Sequence, residues 1–223
     1  MNLEGAVAIV TGAARRVGRA IAIHLAHRGC HVGIHHHRSI QDAESLAFHI
    51  RDIGRRCLLI QADLAQPASW PRIIEETVSG LGRLDILVNN ASIFTPMAID
   101  GFDLEQWQRT LHVNLTAAAA LCHYAAPHLR RTGCGKIVNI TDIAAETPGT
   151  DHLAYCASKA ALTNLTRSLA KALAPDVQVN AVAPGIAIFP EDYDEPTRAR
   201  LIEKVLDNPE QAKHPRLGAR LDA

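Results

Sequence analysis

A short apolar run, Ala6 to Val10, breaks off at Thr11-Gly12, and six residues on Gly18 lies inside a helix-type segment that opens near Arg16 and stops at Gly29. Strand, glycine turn and helix form the unit of parallel sheets, because a parallel neighbour is reached only through a crossover long enough to hold a helix. The alternation continues. Strands are predicted at His31–His35, Cys57–Ile60, Leu84–Val88, Lys136–Ile140 and Val177–Ala183. Between them lie helices at Gln41–Ile53, Pro67–Gly80, Leu104–His112, Leu115–Arg131 and Tyr155–Leu173. This order predicts an α/β fold with a doubly wound parallel sheet. With 48% hydrophobic residues and only 4% aromatic, its core is to be packed by Ala, Val, Leu and Ile.

Lys plus Arg and Asp plus Glu number 23 each, a balance that supports neither a nucleic-acid partner nor an anionic membrane surface. The Ala-rich stretch Val113–Ala126 is broken by Asn114, Thr116 and His123 and falls short of the roughly 18 apolar residues of a membrane span. Five cysteines, odd in number and never spaced as CxxC, suit reduced thiols in a cytoplasmic protein, and no metal site is expected. The N-terminus has no basic region ahead of its apolar run, which argues against a signal peptide.

In Thr11-Gly12-Ala13-Ala14-Arg15-Arg16-Val17-Gly18, Gly12 permits a tight turn, and Gly18 admits a phosphate or close packing at the helix N-terminus. This is the dinucleotide-binding arrangement of a Rossmann-type fold. The acid that would meet a ribose 2′-hydroxyl after the second strand is absent, and His35-His36-His37-Arg38-Ser39 stands in its place. His37, Arg38 and Ser39 suit a 2′-phosphate, with Arg38 as a charged fork and Ser39 as a donor, so NADPH/NADP is preferred to NAD. His35 and His36 themselves are read as a solvated strand end.

Tyr155-Cys156-Ala157-Ser158-Lys159 sets a phenol and an ammonium on one helical face. The ammonium is expected to favour the phenolate and to draw the tyrosine below its reference pKa of about 10.

Taken in order, the Thr11–Gly18 turn, Asn89-Asn90-Ala91, Asn114, Tyr155/Lys159 and Pro184-Gly185 resemble a short-chain dehydrogenase/reductase over Glu4 to Pro190. The resemblance implies that Tyr155 is the acid and that Lys159 also holds the nicotinamide ribose. It gives Asn114 a water in the proton relay, and it sets Asn90, Asp63, Pro184 and Gly185 beside the cofactor. Two positions depart from the commonest pattern: Arg16 where most members have glycine, and Asp142 where most have serine. Pteridine reductases share both, and they share His-x-His-Arg-Ser, matched by His35–Ser39, and Asn-Asn-Ala-Ser-x-Phe, matched by Asn89–Phe94.

That subgroup implies NADPH-dependent reduction of dihydropterins or dihydrofolate. Phe94 would stack on the flat substrate, Ser92 would bond pterin and cofactor phosphate, and Arg16 would reach the pterin edge or pyrophosphate. Asp142 and Tyr155 would share proton delivery. Phe94 as core packing and Asp142 as a loop brace remain open. So do a carbonyl or 3-oxoacyl-thioester reductase and a catalytically silent nucleotide-binding protein.

Residues 1–206 are expected to form the reductase domain, with a helix at Thr197–Leu206 and an atypical tail, disordered or truncated, over 207–223. The tail lacks the family's Val-Asp-Gly-Gly-like last strand, which suggests a truncated or frame-shifted product. A missing strand would leave a sheet edge unpaired. The family resemblance further implies a homo-oligomer, a tetramer in relatives.

Overall fold

The structure, a computed structural model, describes residues 2–185 and 194–196. The chain divides into two compact units, 1–183 and 184–223. In the second, the described residues are Pro184, Gly185 and Asp194–Pro196. The expected helix Thr197–Leu206 and the tail 207–223 lie outside the described residues.

The first unit carries six parallel strands in the order β3-β2-β1-β4-β5-β6. They are β1 (Val7–Val10), β2 (His31–His36), β3 (Cys57–Gln61), β4 (Ile86–Asn89), β5 (Gly135–Ile140) and β6 (Val177–Val182). The helices are α1 (Arg16–His27), α2 (Ile40–Asp52), α3 (Ser69–Leu81), α4 (Leu104–Leu111), α5 (Ala117–Arg131) and α6 (Leu153–Ala172). Strand order reverses between β1 and β4, and the crevice beyond the strand ends at such a reversal is where doubly wound sheets bind ligands.

Period-two alternation sorts the apolar side chains to the two faces. On one face Ile9, Leu87, Ile137, Val177 and Val179 meet Ile73 and Ile74 of α3 and Leu121, Ala125 and Leu129 of α5. On the other, Ala8, Val10, Val32, Ile34, Ile86 and Val88 meet Ala22 and Ala26 of α1 and Ala43, Leu46 and Ile50 of α2. Both faces are dominated by small and branched aliphatic side chains, as the composition predicts. At the opposite end from the crevice, buried Asp85 accepts from the Val7 N–H at 2.8 Å and from both arms of Arg83 at 2.8 and 2.6 Å. This satisfies the carboxylate and ties the starts of β1 and β4 together.

The two helices predicted after the fourth strand are not separate. A π-helical turn, His112–Thr116, joins α4 to α5 without a break. The extra residue per turn disturbs the apolar period in the sequence, so one continuous helical stretch looked like two. Such turns recur at functional sites, and this one carries Asn114.

Candidate active site

The residues that end β1, β2, β4 and β5 meet at the same edge of the sheet, and the site is built from them. After β1 the chain turns at Gly12, whose φ of +61° is left-handed. A Cβ on Gly18 would sit 2.3 Å from the Gly12 carbonyl oxygen and 2.5 Å from Asn90 Nδ2. Only glycine lets the first turn of α1 approach this closely. Main-chain atoms therefore line the helix N-terminus, where a pyrophosphate would be held.

Neighbouring segments brace the turn. Thr11 Oγ1 accepts from the N–H groups of Asn90 and Ala91 at 2.9 and 3.0 Å and donates to the Val88 carbonyl at 3.3 Å. The Asn90 amide donates to the carbonyls of Thr11 and Gly12 at 2.8 and 3.2 Å. Arg16 opens α1 with φ of +50°. That left-handed geometry explains why glycine is the common residue here in the resembling family. An arginine holds it at a cost of about 1–3 kcal/mol, a strain typical of functional sites. Its positive charge is the smallest of the influences on Tyr155 and pulls that phenol's pKa down.

The reading of His35 and His36 as a solvated strand end is overturned. Both are 2% exposed. His35 Nδ1 accepts the Gly12 N–H at 3.1 Å, and its carbonyl accepts from Ala13 at 2.9 Å. Burial pushes the imidazole pKa down to about 4, so the ring is neutral and can accept that bond. The strand order accounts for this, because β2 lies between β3 and β1, and an interior strand of a sheet covered on both faces buries residues of either parity.

Beyond β2, His37 and Arg38 are exposed, and Ser39 is half-buried at the start of α2. His37 Nε2 lies 3.8 Å from Asp63 Oδ2, and Asp63 Oδ1 accepts the Ala65 N–H at 2.9 Å. Arg15 pairs with Asp42 at 3.0 Å. After buried His35 and His36, the exposed His37 and Arg38 and the Ser39 hydroxyl follow with no acid among them, so this end of the site fits a 2′-phosphate. With the glycine-lined turn, the residues present fit a phosphorylated dinucleotide.

Asp142, after β5, uses its two oxygens separately. Oδ1 caps a short 3-10 turn by accepting from Ala144 N at 2.8 Å, and Oδ2 accepts the Tyr155 hydroxyl at 2.6 Å. Loop brace and phenol partner, offered as alternatives by the sequence, are both present. Lys159 Nζ donates to the Ile140 carbonyl at 2.8 Å and lies 5.5 Å from the Tyr155 ring centroid.

The expected lowering of the tyrosine pKa does not occur. Burial first, then the charge of Asp142 and its hydrogen bond, push the Tyr155 phenol above its ordinary value. The ammonium gives one of its three donors to a carbonyl, and no hydrogen bond joins it to the hydroxyl. Burial pushes Lys159 itself down to about 8, against the opposing pull of Asp142.

Asn114, in the π turn, accepts from Ile93 N at 2.7 Å and donates to the Ile93 carbonyl and Ser158 Oγ at 3.0 and 3.1 Å. Its side chain clamps the loop after β4 to α6. That loop holds exposed Ser92 and Phe94, and Phe94, 54% exposed, is not core. The Phe94 ring stands edge-on to Tyr155, at 4.6 Å between centroids and 81° between planes. It lies flat on His152, at 4.1 Å and 7°, a contact the sequence reading missed although His152 precedes Tyr155 by one helical turn.

Pro184 and Gly185 belong to the second unit. Among the described residues no cluster of three or more His, Cys, Asp or Glu could hold a metal, and no helix is long and apolar enough to cross a membrane.

The family model for short chain dehydrogenases matches residues 6–189. The chain belongs to the short-chain dehydrogenase family. Its strand order, glycine turn and Tyr155/Lys159 pair sit together in one such oxidoreductase domain. It is 37% identical over 186 residues to cis-4-hydroxycyclohexanecarboxylate dehydrogenase of Sinomonas cyclohexanicum, covering 82% of this chain and 74% of that one. It is 34% identical over 182 residues to a 3-oxoacyl-[acyl-carrier-protein] reductase of Staphylococcus aureus, covering 81% and 74%. Among solved structures, the alternative dihydrofolate reductase 1 (FolM) of Brucella canis, complexed with NADP, superposes with a TM-score of 0.85 at 33% identity. That match covers 94% of this chain and 82% of the other.

Proposed function

We propose that this member of the family is an NADPH-dependent pteridine reductase that acts on dihydropterins or dihydrofolate. The observation that carries the reading is the Tyr155 hydroxyl on Asp142 at 2.6 Å, beside a half-exposed Phe94 ring set edge-on to the same tyrosine. Reduction of a ring C=N bond needs a proton at nitrogen and a flat surface to orient the heterocycle, and this cluster offers both. The likeness to an alternative dihydrofolate reductase complexed with NADP supports it.

The cofactor is NADPH. It supplies the hydride when bound, and Gly12, Gly18, His37, Arg38, Ser39, Asp63, Asn90 and Ser92 are the residues that would hold it. Tyr155, kept protonated by burial and by Asp142, gives its hydroxyl proton to the substrate nitrogen. A proton from solvent then restores the phenol, taken up by the Asp142 carboxylate and passed to the phenolate oxygen through the same 2.6 Å contact. Lys159 fixes the β5 end through Ile140 and offers its charge to the cofactor ribose. Asn114 keeps the Phe94 loop against α6. Arg16 meets the polar edge of the substrate, and Phe94 excludes water from one face of it.

The likeness to a 3-oxoacyl reductase favours a second reading, a carbonyl reductase on the same site. NADPH oxidation with dihydrobiopterin against an acetoacetyl thioester decides. Pterin turnover that is lost in Tyr155→Phe is the expected result. Turnover of the thioester alone would give the site to carbonyl reduction, and NADPH binding without turnover would leave a silent nucleotide-binding protein.

A further inference from the structure

Phe94 packs with two other rings, Tyr155 and His152. His152 lies just ahead of α6, its plane 7° from that of Phe94 and its centroid 4.1 Å away. Two main-chain hydrogen bonds hold it there. Met97 N–H donates to the Asp151 carbonyl at 2.7 Å, and Leu153 N–H donates to the Met97 carbonyl at 3.1 Å. Met97 is itself buried. The loop that carries Phe94 and the start of the helix that carries Tyr155 are thereby fastened together, with Asn114 as a second fastening at Ile93.

One face of Phe94 is covered by imidazole and one edge meets Tyr155, yet the side chain remains 54% exposed. With one face stacked on His152, only the opposite face is left for a further flat ring. Leaving that much aromatic surface in water is unfavourable. A ring stacked on one side and open on the other is half of a sandwich.

We propose that His152 is a positioning residue for substrate specificity: it backs Phe94 so that the open face of that ring is presented, at a fixed angle to Tyr155, to a flat heteroaromatic substrate. The inference rests on the pteridine-reductase reading and adds to it the element that selects planar rings. Burial holds the His152 pKa below its ordinary value, so near neutral pH the backing ring is uncharged.

The test is steady-state kinetics of the full chain at saturating NADPH, with dihydrobiopterin as the probe, on wild type, His152→Ala and His152→Phe. An aromatic stack supports a KM rise of about three- to tenfold in His152→Ala, with kcat and the NADPH Kd unchanged. His152→Phe, which keeps a flat ring, is expected to restore the wild-type KM. A KM that is unmoved in His152→Ala, or a loss confined to kcat, would overturn the proposal. If His152→Ala does not fold, His152→Phe decides, and a tenfold rise in its KM would overturn the proposal. Wild type without pterin turnover removes the functional reading and this inference with it. Wild type that is active while both variants match it removes this inference alone.

Discussion

The two ends of the site are held by different materials. At the Thr11–Gly18 turn the functional surface is main chain: left-handed Gly12, a Gly18 without room for a methyl, carbonyls held by the Asn90 amide and the Gly12 N–H held by His35. At the catalytic end the surface is side chain. Asp142, Tyr155, Lys159 and Phe94 arrive from β5, α6 and the loop after β4, and each is oriented by another side chain or by a carbonyl. A backbone site tolerates change in most side chains and no added atom at its glycines. A side-chain site tolerates small shifts in packing and no change in its polar groups.

The sharpest break of this contrast is Tyr155→Phe. It should lower kcat by about 10²–10⁴-fold while urea unfolding and NADPH binding stay unchanged. Asp142→Asn keeps the cap at Ala144 and removes the charge that raises the phenol pKa, so Tyr155 should titrate lower in an ultraviolet pH titration than in wild type. At the other end, Gly18→Ala should cost about 1–3 kcal/mol of stability by overpacking against the Gly12 carbonyl, and it should weaken NADPH binding. Urea midpoints and a fluorescence titration check it, and an unchanged midpoint would mean that the turn can yield.

Arg38→Ala should weaken NADPH binding by about tenfold and leave NADH binding untouched, because only the phosphorylated ribose offers a charge to its guanidinium. Equal losses for both would remove the 2′-phosphate assignment. The smallest effect is a pH one. The folded-state pKa of Lys159 is lowered by burial from 10.5 to about 8, so between these values the unfolded chain holds a proton that the folded chain has lost. Stability should therefore rise with pH across that window. The urea midpoint of the cofactor-free wild type should climb relative to Lys159→Met, and a flat difference would mean that the ammonium stays charged.

Much of this was legible in the sequence. Each strand of the sheet was placed to within two residues, because strands buried on both faces leave a clear apolar run. The α4–α5 boundary was not, since the π turn at His112–Thr116 disturbs the period and has no compositional mark. The 2.6 Å Tyr155–Asp142 contact joins residues 13 apart, which the resemblance anticipated as shared proton delivery. Its effect on acidity was read with the wrong sign, because the lysine four residues away was assumed to face the hydroxyl.

What the sequence determined by itself is the α/β alternation, the glycines of the phosphate-binding turn and the Arg38-Ser39 pair that follows β2, since these depend on local conformation and residue chemistry. What the tertiary structure decided is where charge and ring faces point. His35 is buried against Gly12, Lys159 is turned to the Ile140 carbonyl, and Phe94 stacks on His152. Those outcomes depend on which partner reaches a group first when distant segments pack together. A linear sequence carries the groups but does not fix their distances.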